Sequence, residues 1–371
     1  MKICHFADSH LGAGENRTSR APSGLTLRQE DIVNSFIESI DKIIAIKPDV
    51  VIHAGDIFDK VRPSNRIIAI ASEHLNRLSN VNNIPTIIIA GNHDAPKQPH
   101  YGAALDIFKQ IRNLHVASKS RLEVFKIINV SFFALPHCLN TDILKEELSK
   151  CRPDKNSRYN ILILHGVAAG MPEFSMADLG EQELPLDRMA LFDYTALGHY
   201  HNYSQVGKRA WYSGSSERLS QAERETPKGF IELDLEPFKL KFHEVNTRQM
   251  VDLQIGSVKG KRGDEVMEII RRKLEKIDSS DKIIRVVVKD VSPETVLTIP
   301  ANSLNELRQK SFSLDIKFEK EKTDEVSGKV GRTAIGKIDT KFFEFLLTKD
   351  LKESEIERLK NEAIKYLSDE S

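Results

Sequence analysis

Residues 50–59 read VVIHAGDIFD, an apolar run that stops at a glycine followed by Asp56. Apolar runs that stop at polar residues, with a glycine beside them in all but the first, recur as FADSH at 6–10, IIAGNHD at 88–94, ILILHG at 161–166 and TALGHYH at 195–201. Short apolar runs that end in glycine and polar residues are typical of buried β-strands. Because an open α/β sheet binds ligands at the carboxyl ends of its strands, we expect the five polar tips to meet in one crevice.

Helical patterns separate these runs. Residues 27–47 carry a broad apolar stripe at helical spacing, and 66–78 predict a second helix. Strands that alternate with helices of this length predict βαβ units in an α/β layered fold. After residue 210 the segments WYSGSS, GFIELDLE and FKLKFHEV alternate in polarity, which predicts antiparallel strands that close the domain.

The length of 371 residues exceeds the usual size of one domain, roughly 100–200 residues. We predict a first domain at 1–247, a small α+β domain at 248–318, a charged linker at 319–337 and a pair of amphipathic helices at 338–371. A helical pair this short cannot bury its apolar faces alone, so it needs a surface of this or another protein to dock on.

Composition excludes few function classes. Lys+Arg and Asp+Glu both number 54, so the formal net charge is zero and gives no indication of a nucleic-acid partner. A local basic face is still compatible with this net charge. The three cysteines show no metal-binding spacing and favour a reduced compartment. No apolar stretch approaches the roughly 20 residues of a membrane helix, and the opening MKICHFADSHLG is unlike a signal peptide. We therefore expect a cytoplasmic, nucleoid-associated protein without membrane contact.

The residue types at the strand tips suit a metal centre. In Asp8-x-His10 and His199-x-His201 the spacing places both side chains on one side of an extended segment. Carboxylate, imidazole and amide ligands suit Mn²⁺, Fe²⁺ or Zn²⁺, and we predict Asp56 as the bridge between two ions. Each motif alone is weak, and a GD pair is often only a strand end, but buried Asp and His at five strand tips are costly unless paired or metal-bound.

Two neighbouring residues have further candidate roles. His93, beside Asn92, is our candidate general acid for the leaving group. Asp94 either orients the imidazole of His93 or caps the segment that follows it.

The ordered set DxH, GD, GNHD, HG and GHxH resembles the calcineurin-like metallophosphoesterase superfamily, and with LRQEDI at 27–32 it looks like the SbcD family of double-strand-break repair nucleases. The resemblance implies a four-layer α/β/β/α sandwich, a small α+β capping domain and C-terminal helices that dock on an SbcC-type coiled-coil ABC ATPase. It also implies 3'-5' DNA exonuclease and single-strand endonuclease activity and a homodimer.

The resemblance also assigns roles to single residues. Asp8, His10 and His201 would hold one ion, and Asp56 would bridge to a second ion. That second ion would be held by Asn92, His165 and His199, and His93 would assist the leaving group. One departure is Asp59, where archaeal and eukaryotic relatives often carry histidine, which puts in doubt any role assigned to that histidine.

Basic residues in two loops are candidate DNA contacts: Arg17, Arg20 and Arg28 after the first strand, and Lys259, Lys261 and Arg262 in VKGKRGD. Solvated loop charge is the commoner explanation for such residues.

Our leading prediction is a Mn²⁺-dependent DNA exonuclease and endonuclease with two divalent ions per subunit that works with an SbcC-type ATPase. One alternative is a calcineurin-like phosphodiesterase for small phosphoesters, and another is a non-enzymatic interaction scaffold. The roughly 120 residues after the first domain favour the nuclease. A scaffold would be expected to have lost ligands, and all seven are present in the sequence.

Overall fold

A computed structural model describes residues 1–14, 21–96, 98, 102–171, 183–309 and 311–320. Met1–Glu319 form one compact unit. The predicted helical pair at 338–371 and almost all of the predicted linker lie outside the described residues. No helix in the described ranges is long and apolar enough to cross a membrane.

The described residues form seventeen strands: β1 Lys2–Phe6, β2 Val50–His53, β3 Thr86–Ile89, β4 Leu114–Ala117, β5 Glu123–Ile127, β6 Val130–Leu135, β7 Tyr159–His165, β8 Val167–Ala168, β9 Glu183–Leu184, β10 Tyr194–Gly198, β11 Ser204–Gly207, β12 Ala210–Tyr212, β13 Gly229–Leu235, β14 Phe238–Glu244, β15 Met250–Ser257, β16 Ile283–Val291 and β17 Ser313–Lys320. Their α-helices are α1 Leu27–Ile46, α2 Asn65–Asn76, α3 Thr141–Lys150, α4 Leu186–Met189, α5 Gly263–Leu274, α6 Pro293–Leu297 and α7 Ala301–Gln309. The five quoted runs thus form β1, β2, β3, β7 and β10.

Two six-stranded mixed sheets carry the first domain. One has the strand order β14-β13-β1-β2-β3-β4, and the other has the order β11-β12-β10-β7-β6-β5. Strands β1 to β4 are parallel to one another, as are β6, β7, β10 and β12. Because the quoted runs all lie in these parallel blocks, their carboxyl ends share one edge of each sheet.

The sheets pack face to face through buried apolar side chains. Ile52 and Ile87 of the first sheet and Phe132 and Ile163 of the second belong to one cluster, which is the central core. Side chains on the outer face of the first sheet pack with α1 and α2, and those on the outer face of the second sheet pack with α3 and α4. The result is the predicted α/β/β/α order of layers.

Helix α1 shows how the sequence sets an element's bounds. Thr26 accepts a hydrogen bond from the backbone N–H of Gln29, whose side chain accepts in return from the N–H of Thr26. This capping box satisfies two of the donors left open at a helix start. At the other end Lys47 adopts a left-handed conformation, and Pro48 follows, which prevents the helix from continuing.

A smaller module follows β14. Strands β15, β16 and β17 form a three-stranded sheet, and α5 and α7 pack on it around a separate apolar core. The predicted boundary at 247/248 falls in the loop between β14 and β15. Arg248, in that loop, donates two hydrogen bonds to Asp31 of α1 at 2.8 and 2.7 Å and stacks on the ring of Phe312. The module is therefore fixed to the first domain by a bidentate ion pair.

The segment WYSGSS is antiparallel to only one of its two neighbours: β12 pairs antiparallel with the edge strand β11, as predicted, and parallel with β10. A three-residue strand carries too little pattern to reveal its direction. The two later segments, β13 and β14, are antiparallel as predicted.

Candidate metal centre

The polar tips converge at the edge where both sheets end. The first sheet contributes residues after β1, β2 and β3, and the second sheet contributes the end of β7 and residues after β10. Ligating atoms of Asp8, His10 and His201 lie within 4.8 Å of one another, and so do those of Asp8, Asp56 and His165. The structure thus brings the sequence-predicted residues of both sheets into one buried cluster.

A second group of donors lies on the other side of this cluster. The His165 Nε2 atom lies 2.9 Å from Asn92 Oδ1, which lies 3.2 Å from His199 Nδ1. His165 Nδ1 must donate to the carbonyl of Ala54, at 2.8 Å, since a carbonyl only accepts. Nε2 of His165 therefore lies between Oδ1 of Asn92 and Oδ2 of Asp56, at 2.9 and 3.3 Å, and these three atoms are donors that one cation could share.

Asp56 lies between the two groups. Its Oδ2 atom is 3.3 Å from His165 Nε2 and 3.7 Å from His10 Nε2, which is the placement a bridging carboxylate needs. Its Oδ1 atom accepts from the backbone N–H of His93 at 2.8 Å. Burial acts to raise the pKa of Asp56, but the imidazole of His165, with those of His10 and His93, holds this pKa below its usual range.

The burial of the His10 side chain tests whether a metal ion fits this cluster. Its side chain is only 3% exposed, yet neither ring nitrogen has a hydrogen-bond partner in the part of the chain that the structure describes. A buried polar atom without a partner costs free energy unless something outside the protein satisfies it. The charge distribution agrees, because burial raises the pKa of Asp8 and the nearby charge of Asp56 raises it further. A divalent cation would relieve both penalties.

The backbone of the cluster is held in uncommon conformations. Asp8, His10, Asp56 and His199 have φ values of 51°, 43°, 55° and 101°, in the left-handed region that favours glycine. Such conformations cost of order 1–3 kcal/mol each and tend to occur at functional sites.

Glycine makes the close approach of the strand ends possible. A Cβ atom on Gly91 would lie 2.1 Å from Asp56 Oδ1, so GNHD requires glycine because of packing and not because of a turn.

His93 lies at the rim of the cluster and is half-buried. Its Nδ1 atom donates to the carbonyl of Asp59 at 2.8 Å, which leaves Nε2 for another partner. The ring lies 4.8 Å from that of His10, between centroids. His93 is therefore held by the backbone of the loop after β2.

The partners of Asp94 among the described residues differ from the two that were predicted. Its carboxylate accepts from the backbone N–H groups of Ile57 and Phe58 at 2.9 Å and of Gly91 at 3.3 Å. It thereby ties the loop that carries Asp56 to the loop after β3. The GNHD motif suggested a contact between Asp94 and the adjacent His93. Two of its three partners, Ile57 and Phe58, lie instead in the loop after β2.

Two carboxylates outside the predicted ligand set contact histidines of the cluster. Asp59 Oδ1 lies 3.5 Å from His10 Nδ1, and Glu223 Oε1 lies 3.2 Å from His201 Nδ1. Although burial opposes ionisation, His201 and Lys228 lower the pKa of Glu223 to about 2, so it is a carboxylate at neutral pH. Only the tertiary fold brings Glu223 to this place.

The candidate DNA contacts are placed differently. Arg17 and Arg20 lie outside the described residues. Lys259, Lys261 and Arg262 lie in the turn between β15 and α5, on the smaller module.

The suggested phosphate role of Arg28 is wrong. Arg28 is buried and forms ion pairs with Asp31 at 3.3 Å and Glu217 at 3.5 Å, so its guanidinium has structural partners. Its position just after a loop of basic residues gave no sign of these partners.

The shared edge of the two sheets gathers carboxylate, amide and imidazole donors around two positions. Such a site is characteristic of phosphoester hydrolases with a dimetal centre. Residues 1–230 match the calcineurin-like phosphoesterase family.

Curated relatives agree with this match. The chain is 32% identical over 269 residues to the DNA double-strand break repair protein Mre11 of Methanococcus maripaludis, which covers 68% of this chain and 67% of that protein. It is 30% identical over 295 residues to the protein of the same name from Sulfolobus acidocaldarius, covering 76% and 72%. It is 29% identical over 261 residues to the SbcD component of the SbcCD nuclease of Staphylococcus epidermidis, covering 64% and 66%. The chain therefore belongs to the calcineurin-like phosphoesterase family, in the branch of the Mre11 and SbcD proteins, and is a metal-dependent phosphodiesterase.

The role of Asp94 can be tested by stability. We expect Asp94→Ala to lower the free energy of unfolding of the metal-free protein by about 3 kcal/mol or more, because three buried N–H groups lose their acceptor at about 1–3 kcal/mol each. Urea denaturation followed by circular dichroism measures this change. Glu146→Ala, which removes an exposed carboxylate of α3, is the control and should have no measurable effect. Equal stability of the two variants would contradict the role given to Asp94.

Proposed function

We propose that this chain is a Mn²⁺-dependent DNA exonuclease and endonuclease that acts in double-strand-break repair with an SbcC-type coiled-coil ATPase. The observation that carries the proposal is the buried convergence of Asp8, His10 and His201 with the His165 and Asn92 pair around Asp56. The names of the relatives support DNA as the substrate, since two are double-strand-break repair proteins and one is a component of the SbcCD nuclease.

We assign the seven ligands to two ions. Asp8, His10 and His201 would hold one ion, and Asn92, His165 and His199 the other, with Asp56 shared by both. The three donor types in this set suit Mn²⁺, which takes nitrogen and oxygen ligands. When bound, the two ions would lower the pKa of a water for in-line attack on phosphorus and neutralise charge on the phosphoryl oxygens.

We assign the proton transfer to His93. Its Nδ1–H group donates to the carbonyl of Asp59, so the ring is held with Nε2 directed away from this contact. When Nε2 carries a proton, this N–H group would donate to the oxygen of the leaving nucleoside. The backbone hydrogen bond between His93 and Asp56 ties the acid to the bridging carboxylate.

The smaller module supports DNA over small phosphoesters. A small phosphoester needs only the metal edge, whereas a polymer extends beyond it, and Lys259, Lys261 and Arg262 offer cations in an exposed turn of this module. We propose these three residues, and Arg17 and Arg20, as phosphate contacts. The scaffold alternative is disfavoured because no ligand of the set is missing.

We also propose the partners and the domain roles. Residues 1–247 would hydrolyse DNA and 248–318 would cap the site. Residues 319–337 would link them to the helical pair at 338–371, which would dock on the ATPase. The name of the Staphylococcus epidermidis relative, which makes it one component of a nuclease, supports an assembly with a second protein. We expect a homodimer that works in the cytoplasm, at the nucleoid.

The first prediction concerns the bridge. With Mn²⁺ supplied, the protein should degrade linear DNA, and Asp56→Ala should lower turnover by at least about a thousandfold, since metal charge stabilisation contributes several kcal/mol. Calorimetric titration with Mn²⁺ should show fewer than two ions bound by the variant. Glu146→Ala is the control and should keep both activity and metal. If wild-type protein leaves DNA intact and cleaves bis-p-nitrophenyl phosphate or a cyclic nucleotide efficiently, the nuclease proposal fails and the small-phosphoester alternative stands.

The second prediction concerns the acid. His93→Ala should keep both ions and cleave DNA about 10²- to 10⁴-fold more slowly, which is the usual contribution of general acid catalysis. The loss should be much smaller with bis-p-nitrophenyl phosphate, because p-nitrophenolate leaves without a proton. Rates on the two substrates at saturating Mn²⁺ measure this difference, with His115→Ala as a control. Equal losses on both substrates, or loss of metal, would rule out the acid role.

The third prediction concerns the helical pair. Deleting Asp339–Ser371 should spare DNA hydrolysis and abolish co-purification with a coiled-coil ATPase of the SbcC type, because the deletion removes both apolar helix faces. Deleting only Glu353–Ser371 should weaken the association less. Association that survives the longer deletion would refute this docking role.

A further inference from the structure

A buried lysine lies directly behind one of the cluster histidines. The Lys228 side chain is fully buried, and its ammonium donates to Glu223 Oε2 at 2.6 Å, to the carbonyl of His201 at 2.7 Å and to Ser215 Oγ at 3.0 Å. All three donors of the ammonium group are therefore used. A buried charge of this kind is costly unless its pairing is complete, and here it is complete.

Glu223 is held as firmly as the lysine. Its Oε1 atom accepts from Ser220 Oγ at 3.0 Å, and its Oε2 atom accepts from the backbone N–H of Leu219 at 3.1 Å as well as from Lys228. The remaining contact of Oε1 is with His201 Nδ1, at 3.2 Å. The carboxylate therefore cannot turn away from the imidazole without breaking several hydrogen bonds.

The contact fixes the tautomer of His201. A carboxylate only accepts, so Nδ1 of His201 donates to Glu223, and the nitrogen left for a metal ion shared with Asp8 and His10 is Nε2. Metal-binding histidines usually donate their other N–H group to such a partner, which orients the ring and raises its basicity. Lys228 also holds the carbonyl of His201, so one ion pair fixes both the side chain and the backbone of this residue.

The two proposed ion positions differ in this respect. His165, in the second group, donates to the neutral backbone carbonyl of Ala54. His201, in the first group, donates to the carboxylate of Glu223, with which Lys228 pairs at 2.6 Å. A carboxylate strengthens an imidazole ligand more than a carbonyl does, because it stabilises positive charge on the ring.

We propose that Glu223 and Lys228 are positioning residues that set the affinity of one metal position, the one formed by Asp8, His10 and His201, and leave the other position unchanged. The inference rests on the proposed ligand role of His201. Glu223 acts through the imidazole and touches neither the substrate nor the metal. The lysine neutralises the carboxylate, so the pair strengthens the ligand without adding net charge to the site.

The test is a Mn²⁺ titration of the full chain by calorimetry and electron paramagnetic resonance. Two neighbouring Mn²⁺ ions give a spin-coupled signal, and a single ion gives the uncoupled one. Glu223→Gln should weaken one of the two binding steps by about 10- to 100-fold. At intermediate Mn²⁺ the uncoupled signal should replace the coupled one. Phosphodiester hydrolysis by the variant should recover towards the wild-type rate at saturating Mn²⁺.

A matched control and a charge-balanced variant keep this test decisive. Glu217→Gln changes another buried carboxylate of the same segment, which pairs with Arg28 and accepts from the backbone N–H of Arg218, and it should leave both binding steps as in the wild type. The double variant E223Q/K228M removes both charges together, so it leaves no buried ammonium unpaired if the single variant unfolds. It should show the same selective weakening.

Three outcomes would overturn the inference: both binding steps unchanged in Glu223→Gln, both weakened equally, or the same change in Glu217→Gln. Wild-type protein that binds no pair of Mn²⁺ ions would instead refute the proposed metal function on which the inference rests. The two failures are therefore distinguishable.

Discussion

The mutual repulsion of buried acceptors at the meeting edge of two sheets is the constraint on which the rest of this structure depends. Asp8 and Asp56 are buried side by side, and burial together with the charge of Asp56 raises the pKa of Asp8. Two such carboxylates separate or recruit a cation, because neither compensates the desolvation of the other. The fold prevents separation, since each group is attached to a strand of the central sandwich. A divalent ion is therefore the partner for which this edge is built.

The sandwich enforces that closeness through its glycines and its buried hydrogen bonds. No side chain larger than hydrogen fits at Gly91, where a Cβ atom would collide with Asp56. Asp94 then ties the two loops together through three backbone N–H groups. These features act on backbone position, so the left-handed φ values of Asp8 and His199 are imposed by the surrounding structure. Part of the free energy gained by packing the apolar core therefore offsets the cost of these left-handed backbone conformations at the edge.

Sequence patterns predicted those parts of the site that depend on strand ends. Each quoted run ends in a residue of the cluster because parallel strands place their carboxyl ends at one edge, and the recurrence of five such runs makes that geometry predictable from the sequence. Contacts between distant segments were not readable. Glu223 follows no strand and belongs to no motif, and Arg28 looked like a surface cation although it is buried in an ion pair. Both depend on which loops the completed sandwich brings together, and polarity patterns carry no such information.

The buried ion pairs also connect the smaller module with the metal edge. Arg248 fixes the module to Asp31 of α1, and Asp31 in turn pairs with Arg28, which holds Glu217. Glu217 begins the segment that reaches Glu223, the carboxylate behind one cluster histidine. The module is thus attached to α1 and, through Arg28 and Glu217, to the loop that holds Glu223. Ion pairs with two hydrogen bonds allow little rotation. The proposed DNA-contacting turn and one proposed metal position should therefore keep a fixed position relative to each other. The other residues of the cluster lie at the ends of sheet strands and in the loops that Asp94 ties together, so different parts of the fold place the two groups of donors.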